Sequence, residues 1–328
     1  MPKVSVVIPN YNHARYLRQR IGSVLGQRYR DFEVILLDDC STDESRSIIS
    51  EYANDPRVRI ELNEVNSGST FKQWDKGIRL AQGEYIWMAE SDDYADERLL
   101  ERLVKVLDEE PEVTFAYCRS FRVTRDGQQD GFADRYMARV DAERWTADFR
   151  ADGQEECRNW FVFGNAVPNA SCVVFRTAVY HRVGGVDQSM LTSGDWKLWV
   201  LMALEGKIAY VSEPLNYYRE HDVTVRTAIG RTGRGAAEHL RMVRWMLERF
   251  TPSEAVIKRA YTWAAAMWVD PVVNRHIPFR VRWELLKEAM ANDPHALRRV
   301  FRGMLTVIRL KTKKEFRLLR QRFEGGPS

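Results

Sequence analysis

Short apolar runs alternate with amphipathic segments over the N-terminal third of the chain, and this alternation constrains the fold more than any other feature. Val4–Ile8, Phe32–Leu37, Val58–Leu62, Tyr85–Ala89 and Val113–Cys118 are short and rich in β-branched or aromatic residues, as strands are. Arg15–Leu25, Asp43–Tyr52, Phe71–Ala81 and Asp96–Leu107 carry helical periodicity between them. Strands separated by helices require crossover connections, which predicts an α/β fold with a mainly parallel sheet. The uninterrupted apolar run at residues 34–37 suits a strand covered on both faces.

The pattern weakens between Arg119 and Gln154, where polar residues and Gly127, Gly131 and Gly153 predict a long loop or small hairpin excursion of the kind that shapes substrate sites. It resumes with a strand at Ser171–Phe175, helices at Thr177–Val183 and Trp196–Leu204, and a strand at Ile208–Val211 followed by a turn around Pro214. From about Ala236 the reading is helical: Ala236–Phe250, Ser253–Trp268, Arg280–Ala291 and Pro294 onward. The Gly-rich basic stretch at 226–235 is where a domain boundary is expected, giving residues 1–230 and 231–328 as the two parts.

At 328 residues with 45% hydrophobic side chains, the chain can bury a large core, which excludes disorder over most of its length. A net charge of +4 is too slight to argue for nucleic acid, but it is unevenly placed. Basic residues from Arg298 to Arg322 far outnumber Glu315 and Glu324, leaving an acidic body and a basic tail. Its 4 cysteines show no ligand spacing, so neither zinc nor a disulfide framework is expected and a reducing compartment fits best. No apolar run reaches the roughly 18–20 residues that cross a bilayer, and no secretory leader is evident, which predicts a cytoplasmic protein.

Chemistry-bearing residues gather at predicted strand ends. The first strand ends in Pro9-Asn10-Tyr11-Asn12 and lacks the glycine cradle of a dinucleotide site; a ring at that position could stack on a base, although Pro and Asn also serve turns. The second ends in Asp38-Asp39-Cys40-Ser41-Thr42-Asp43, where Ser41 or Thr42 reads as a helix N-cap and Asp43 as a first-turn acid, leaving Asp38 and Asp39 for another purpose. The fourth runs into Glu90-Ser91-Asp92-Asp93, a crowd of like charges that a divalent cation such as Mg²⁺ or Mn²⁺ would relieve, unless it is simply a solvated acidic turn. Asp195 opens an aromatic helix, and Arg219 and His221 follow the last strand; these could neutralise phosphate and ligate a metal, or serve structure.

Taken in order, VSVVIPNYN, DFEVILLDDCSTDES, NSGSTFKQWDKGIRLAQGEYIWMAESDD, VVFRTAVYHRVGGVD, SGDWKLW and YYREH resemble the family 2 glycosyltransferases over about residues 2–225. The resemblance implies a GT-A (Rossmann-like) sheet flanked by helices, here with an α-helical C-terminal extension, and inverting transfer from a nucleotide-diphosphate sugar of the UDP or dTDP type to a glycan or lipid-linked glycan, as in bacterial surface polysaccharide assembly. It implies that Pro9, Tyr11 and Asp39 line the base pocket, with Asn66, Lys72, Glu90 and Asp92 also on the nucleotide. Asp92, Asp93 and His221 would hold Mg²⁺ or Mn²⁺, Arg219 would lie near the diphosphate, and Asp195 would be the general base. Three departures stand out: Glu90 where an Asp is usual, Gly194 in place of the acid before the base, and no Arg-Asn pair after Asn66-Ser67-Gly68, where Lys72 could substitute. A silent sugar-nucleotide or glycan-binding module of the same fold is the alternative. The tail from Gly303 to Phe323 interleaves apolar and basic residues as an amphipathic helix would, making an anionic membrane surface at the inner face of the plasma membrane a candidate partner.

Overall fold

A computed structural model of the chain describes residues 1–135, 141, 143–220 and 234–257, together with single positions between 283 and 309. Two compact units emerge, Met1–Cys157 with Asn165–Asp222, and Arg158–Gly164 with Val223–Ser328. The Gly-rich stretch expected to join two parts lies largely outside the described residues, as does most of the expected helix Ser253–Trp268 and of the basic tail.

The chain runs β1 (Val4–Asn10), α1 (Ala14–Leu25), β2 (Phe32–Asp38), α2 (Ser45–Ser50), β3 (Val58–Leu62), α3 (Thr70–Leu80), β4 (Tyr85–Met88), β5 (Tyr94–Ala95) and α4 (Leu99–Glu109). There follow β6 (Val113–Val123), β7 (Gln129–Phe132), β8 (Phe149–Asp152), α5 (Gly153–Asn159), β9 (Val173–Arg176), α6 (Thr177–Arg182), α7 (Gly194–Ala203), β10 (Lys207–Arg219) and, in the second unit, α8 (Arg234–Arg249). The strands form one sheet in the order β3-β2-β1-β4-β9-β6-β10-β5, with β7 on β6 and β8 on β10. Every residue of β1 and β4 is buried, as continuous apolar runs demand when helices cover both faces.

The expected parallel arrangement holds for β3, β2, β1 and β4 and again between β6 and β10. The sheet as a whole is mixed, because β9 enters antiparallel to both β4 and β6. It is reached through the excursion after β6 and not through a helical crossover, so nothing obliges it to run with its neighbours. That excursion contains a hairpin, β6 with β7, and the edge strand β8 on β10. The turn expected around Pro214 is instead a pair of register shifts within β10, which continues as a strand to Arg219. In the second unit α8 packs on the 3-10 turn Phe161–Phe163 and buries Met242, Val243 and Met246.

Register brings the ends of β1, β2 and β4 to one sheet edge: Asn10 pairs with Asp38, and the Ala89 amide donates to the Val7 carbonyl at 2.8 Å. The helix α3 lies against β1 and β2, and its close approach depends on Gly77. A Cβ there would stand 2.3 Å from Val7 Cγ1 and 2.9 Å from Leu37 Cδ1. Gly77→Ala should therefore destabilise the protein by about 1–3 kcal/mol through overpacking, despite a helix-propensity gain of up to about 1 kcal/mol; urea unfolding measures the difference, and an unchanged midpoint would contradict this account of α3.

Candidate active site at the strand ends

The loops after β1 and β2 brace each other. Asn12 and Cys40 both adopt left-handed backbone, at φ 56° and 62°, a conformation non-glycine residues hold only when their surroundings enforce it. The Asn12 amide donates to Ser41 Oγ at 2.9 Å, and the Thr42 amide donates to Asn12 Oδ1 at 2.7 Å. Neither Ser41 nor Thr42 caps α2 as expected. Asp43 instead bridges the two loops, accepting the Ser45 amide on Oδ1 and the Ala14 amide on Oδ2, both at 2.9 Å. Pro9 is buried in β1, whereas Tyr11 is 44% exposed beyond the strand end.

The adjacent acids have different surroundings. Asp38 is fully buried and accepts from Asn10 Nδ2, the Ser41 amide and Arg46 Nε at 2.9–3.0 Å, which ties the strand end to α2. Asp39 accepts on Oδ1 from Asn63 Nδ2 at 2.7 Å, the Ser67 amide at 2.8 Å and Gln73 Nε2 at 2.9 Å. Among the described residues its Oδ2 takes only the Ser67 hydroxyl, at 2.7 Å, and so keeps acceptor capacity for a ligand. Asn66 donates to the Asp39 carbonyl and accepts the Gly68 amide, shaping the loop with its own polar atoms. Lys72 is exposed on the first turn of α3, where its ammonium donates to the Ser67 carbonyl at 3.3 Å.

The acidic segment after β4 is held from three sides. Trp74 Nε1 donates to Glu90 Oε1 at 2.6 Å, Arg20 Nε donates to the Glu90 carbonyl at 2.7 Å, and the Glu90 amide donates to Ser171 Oγ at 3.1 Å. Burial, reinforced by the negative charge of Asp92, pushes the Glu90 carboxyl up to about 8. Asp93 points into the protein. It accepts the Arg219 amide on Oδ1 at 2.8 Å and Asn169 Nδ2 on Oδ2 at 2.6 Å, and burial raises its carboxyl too. Asp92 stays partly exposed.

Two buried arginines answer this charge. Arg20, with no exposed surface, lies 3.9 Å from Asp93 and over the Trp87 ring. Arg219 is 3% exposed, and its guanidinium is engaged within the protein. Nε donates to the Asp92 carbonyl, Nη1 to the carbonyls of Thr124 and Arg125, and Nη2 to Gln19 Oε1, with the Tyr16 ring 4.7 Å beneath. A diphosphate contact at Arg219 would require exchanging these bonds.

Mg²⁺ and Mn²⁺ bind through one or two carboxylates while keeping waters and substrate phosphates as their other ligands. The donor set fits that mode: Asp92 is partly exposed, as is Glu90, whose Oε1 accepts from Trp74, while Asp93 faces inward. Among the described residues no cluster of three or more His, Cys, Asp or Glu forms a closed cage, and His221 lies outside them.

Asp195 sits at the start of α7, partly exposed, with Oδ2 accepting from Asn165 Nδ2 at 2.9 Å and Oδ1 from the Trp196 amide at 2.7 Å. The N-terminal turns of α3 connect it with the other acids. Gln73 reaches Asp39, Trp74 reaches Glu90, and the Phe71 ring occupies the space beside Gly194, where a Cβ would stand 2.7 Å from it. Gly194 and the missing Arg-Asn pair thus have a common physical setting, a helix turn carrying Phe71, Gln73 and Trp74. Sequence reasoning missed Arg20, Asn63, Ser67, Gln73, Trp74, Asn165, Asn169 and Ser171. Arg20 alone left a signal, a charge among the core-facing positions Tyr16, Leu17, Ile21 and Val24 of α1.

A mixed sheet with acids converging where β1, β2 and β4 end is the architecture of a GT-A nucleotide-sugar fold. Residues 5–182 match the model for glycosyl transferase family 2, and the chain belongs to that family. It is 33% identical over 111 residues to the Staphylococcus aureus poly(ribitol-phosphate) β-N-acetylglucosaminyltransferase TarS, a match taking in 33% of this chain and 19% of TarS. The chain therefore spans far less than two thirds of that curated relative. The crystal structure of S. aureus TarS 1–349 in complex with UDP-GlcNAc superposes with a TM-score of 0.66 at 17% identity, over 95% of this chain and 92% of that one. The mannosyltransferase PcManGT from Pyrobaculum calidifontis, in complex with GDP-Man and Mn²⁺, gives 0.56 at 16% identity over 94% and 87%.

The raised Glu90 carboxyl has a consequence for stability. The folded chain retains a proton there that the unfolded chain has released, so folding stability falls as pH rises from the ordinary carboxylate range through about 8. Thermal unfolding across that interval should fall less steeply for Glu90→Gln than for the unmodified protein; parallel slopes would contradict the assignment.

Proposed function

We propose that the chain is an inverting glycosyltransferase that moves a sugar from a UDP- or dTDP-type nucleotide-diphosphate sugar to an acceptor hydroxyl in bacterial-type surface polysaccharide assembly. The single observation that carries this reading is the α3 turn that touches the Asp39, Glu90 and Gly194–Asp195 sites at once. Residues 1–230 form the catalytic domain in this reading, and residues 231–328 a helical extension. The nucleotide sugars in the titles of the TarS and PcManGT structures support the donor class, and the poly(ribitol-phosphate) in the TarS name supports a polymeric cell-surface acceptor. The reaction takes place in the cytoplasm, where sugar nucleotides are made.

The base sits between the Pro9–Tyr11 loop and Asp39, whose Oδ2 accepts from its N–H. Asn66 shapes the loop beside it, and Lys72, on the helix turn that also holds Asp39 and Glu90, answers phosphate charge. Glu90 and Asp92 lie toward the ribose and diphosphate. Arg219 and Asp93 act as positioning residues that fix the segment carrying Asp92, and not as direct diphosphate or metal contacts.

Asp195 is the general base. Its carboxylate is oriented by Asn165 and the Trp196 amide. The acceptor oxygen attacks the anomeric carbon from the face opposite the nucleotide, its proton passes to Asp195, and the bond to the diphosphate breaks with its electron pair leaving on the nucleotide. Asp92 would hold the divalent cation, Mg²⁺ or Mn²⁺, and that ion would supply charge stabilisation to the departing diphosphate.

Asp195→Asn should lower the transfer rate by about 10²–10⁴-fold, the usual contribution of a positioned base, while leaving donor binding intact. Radiolabelled sugar transfer and donor-induced thermal shifts, measured with UDP-, dTDP- and GDP-sugars and with or without Mn²⁺, read the two properties separately. A fully active Asp195→Asn enzyme would refute the base. Donor binding without transfer or hydrolysis in the unmodified protein would leave a silent binding module.

A further inference from the structure

The run from Asn165 into β9 passes through the interior: Ala166, Val167, Ala170 and Ser171 are all buried. Polar groups on a buried loop need fixed partners, and three side chains of this run find theirs at three parts of the candidate site. Asn165 Nδ2 donates to Asp195 Oδ2 at 2.9 Å, Asn169 Nδ2 donates to Asp93 Oδ2 at 2.6 Å, and Ser171 Oγ accepts the Glu90 amide at 3.1 Å. Each asparagine is also locked from its other side. The Val167 amide donates to Asn165 Oδ1 at 3.2 Å, so only the nitrogen of that side chain can face Asp195. Asn169 Oδ1 accepts from Asn216 Nδ2 at 3.2 Å and from the Ser120 hydroxyl at 3.3 Å. Those two residues pair across β10 and β6, so the sheet itself fixes the amide that Asn169 presents to Asp93.

We propose that residues 165–171 are a strut that sets the Asp195 carboxylate at a fixed place relative to the Asp92–Asp93 segment, with Asn165 and Asn169 as positioning residues at its two ends. The inference rests on the reading of Asp195 as general base and of Asp92 as the carboxylate on the donor side. Inversion needs the base and the departing diphosphate on opposite sides of one carbon, and a displacement of about 1 Å can cost about 10²-fold in rate. Asp93 and Asp195 lie about a hundred positions apart in sequence, yet the strut joins them through residues only four positions apart. Four residues of extended chain span at most about 14 Å, which bounds the separation of the two ends. Asn165 is not needed to hold the loop, since the Ser171 carbonyl already accepts Trp87 Nε1 at 2.8 Å and ties the run to β4. An amide suits the Asp195 end because it donates a hydrogen bond without bringing a charge that would neutralise the carboxylate.

The test is a double-mutant cycle on the full chain, read as hydrolysis of UDP- and dTDP-sugars with Mn²⁺, in which water stands in for the acceptor. Asn165→Ala, at a partly exposed position, should lower kcat about tenfold or more while the donor KM and the melting temperature stay near those of the parent. In an Asp195→Asn background the same change should cost nothing further, because Asn165 acts through that carboxylate. Asn165→Asp keeps the acceptor for Val167 but sets a second carboxylate against Asp195, and should lose more than Asn165→Ala. Asn169→Ser should lower kcat and also weaken the thermal shift given by UDP or dTDP with Mn²⁺, since Asp93 fixes the segment that carries Asp92. Full kcat in Asn165→Ala, a loss expressed in donor KM or melting temperature alone, or an equal further loss in the Asp195→Asn background would overturn the strut and leave the base in place. A fully active Asp195→Asn enzyme, or a parent that binds these donors without hydrolysing them, would overturn the transferase reading and the strut with it. The Asn165 cycle decides the matter even where Asn169→Ser misfolds.

Discussion

Carboxylates placed at buried strand ends must find donors, and in this protein one helix turn provides for two of them. Gln73 and Trp74 leave the same stretch of α3 to reach Asp39 and Glu90, while Phe71 fills the space next to Gly194. Removing a polar group from water without such a partner costs several kcal/mol, and more when it is charged. The position of α3 is therefore a requirement of the acids as much as of the core, and Gly77 permits it by letting the helix approach Val7 and Leu37.

A second clamp works from the opposite side. The register shifts around Pro214 let β10 continue past its first straight run, delivering the Arg219 amide to Asp93 and its guanidinium to carbonyls of the β6–β7 turn. Arg20 reaches the same acidic segment from α1. Together the arginines hold three closely spaced carboxyl groups that would otherwise repel one another and hydrate. Asp92 is left partly exposed.

The alternation of strands and helices was legible because burial imposes it directly: β1, β2 and β4 read as short, largely apolar runs and emerge as buried strands. The direction of β9 was not legible, since a short apolar run such as Val173–Phe175 reads identically whichever way it pairs. Within the site, the family pattern drew attention to Asp39, Asp92 and Asp195, but it could not separate Asp38, a fully buried brace between the strand end and α2, from Asp39, which is tied to α3 through Gln73. The resemblance put Arg219 near the diphosphate and gave no sign of what else it holds. Its partners proved to be carbonyl oxygens contributed by residues about a hundred positions away, a relation no local pattern encodes.

That choice of partners bears on how the protein can vary over evolutionary time. Arg219 grips the peptide backbone at Thr124 and Arg125, so the identities of those two side chains carry no information for the grip. Divergent descendants can exchange them freely so long as the turn keeps its shape. The arginine itself has no such latitude, since no other side chain projects a planar array of donors broad enough to span both loops. Drift should therefore accumulate around a fixed point, leaving a variable hairpin tip above an invariant anchor.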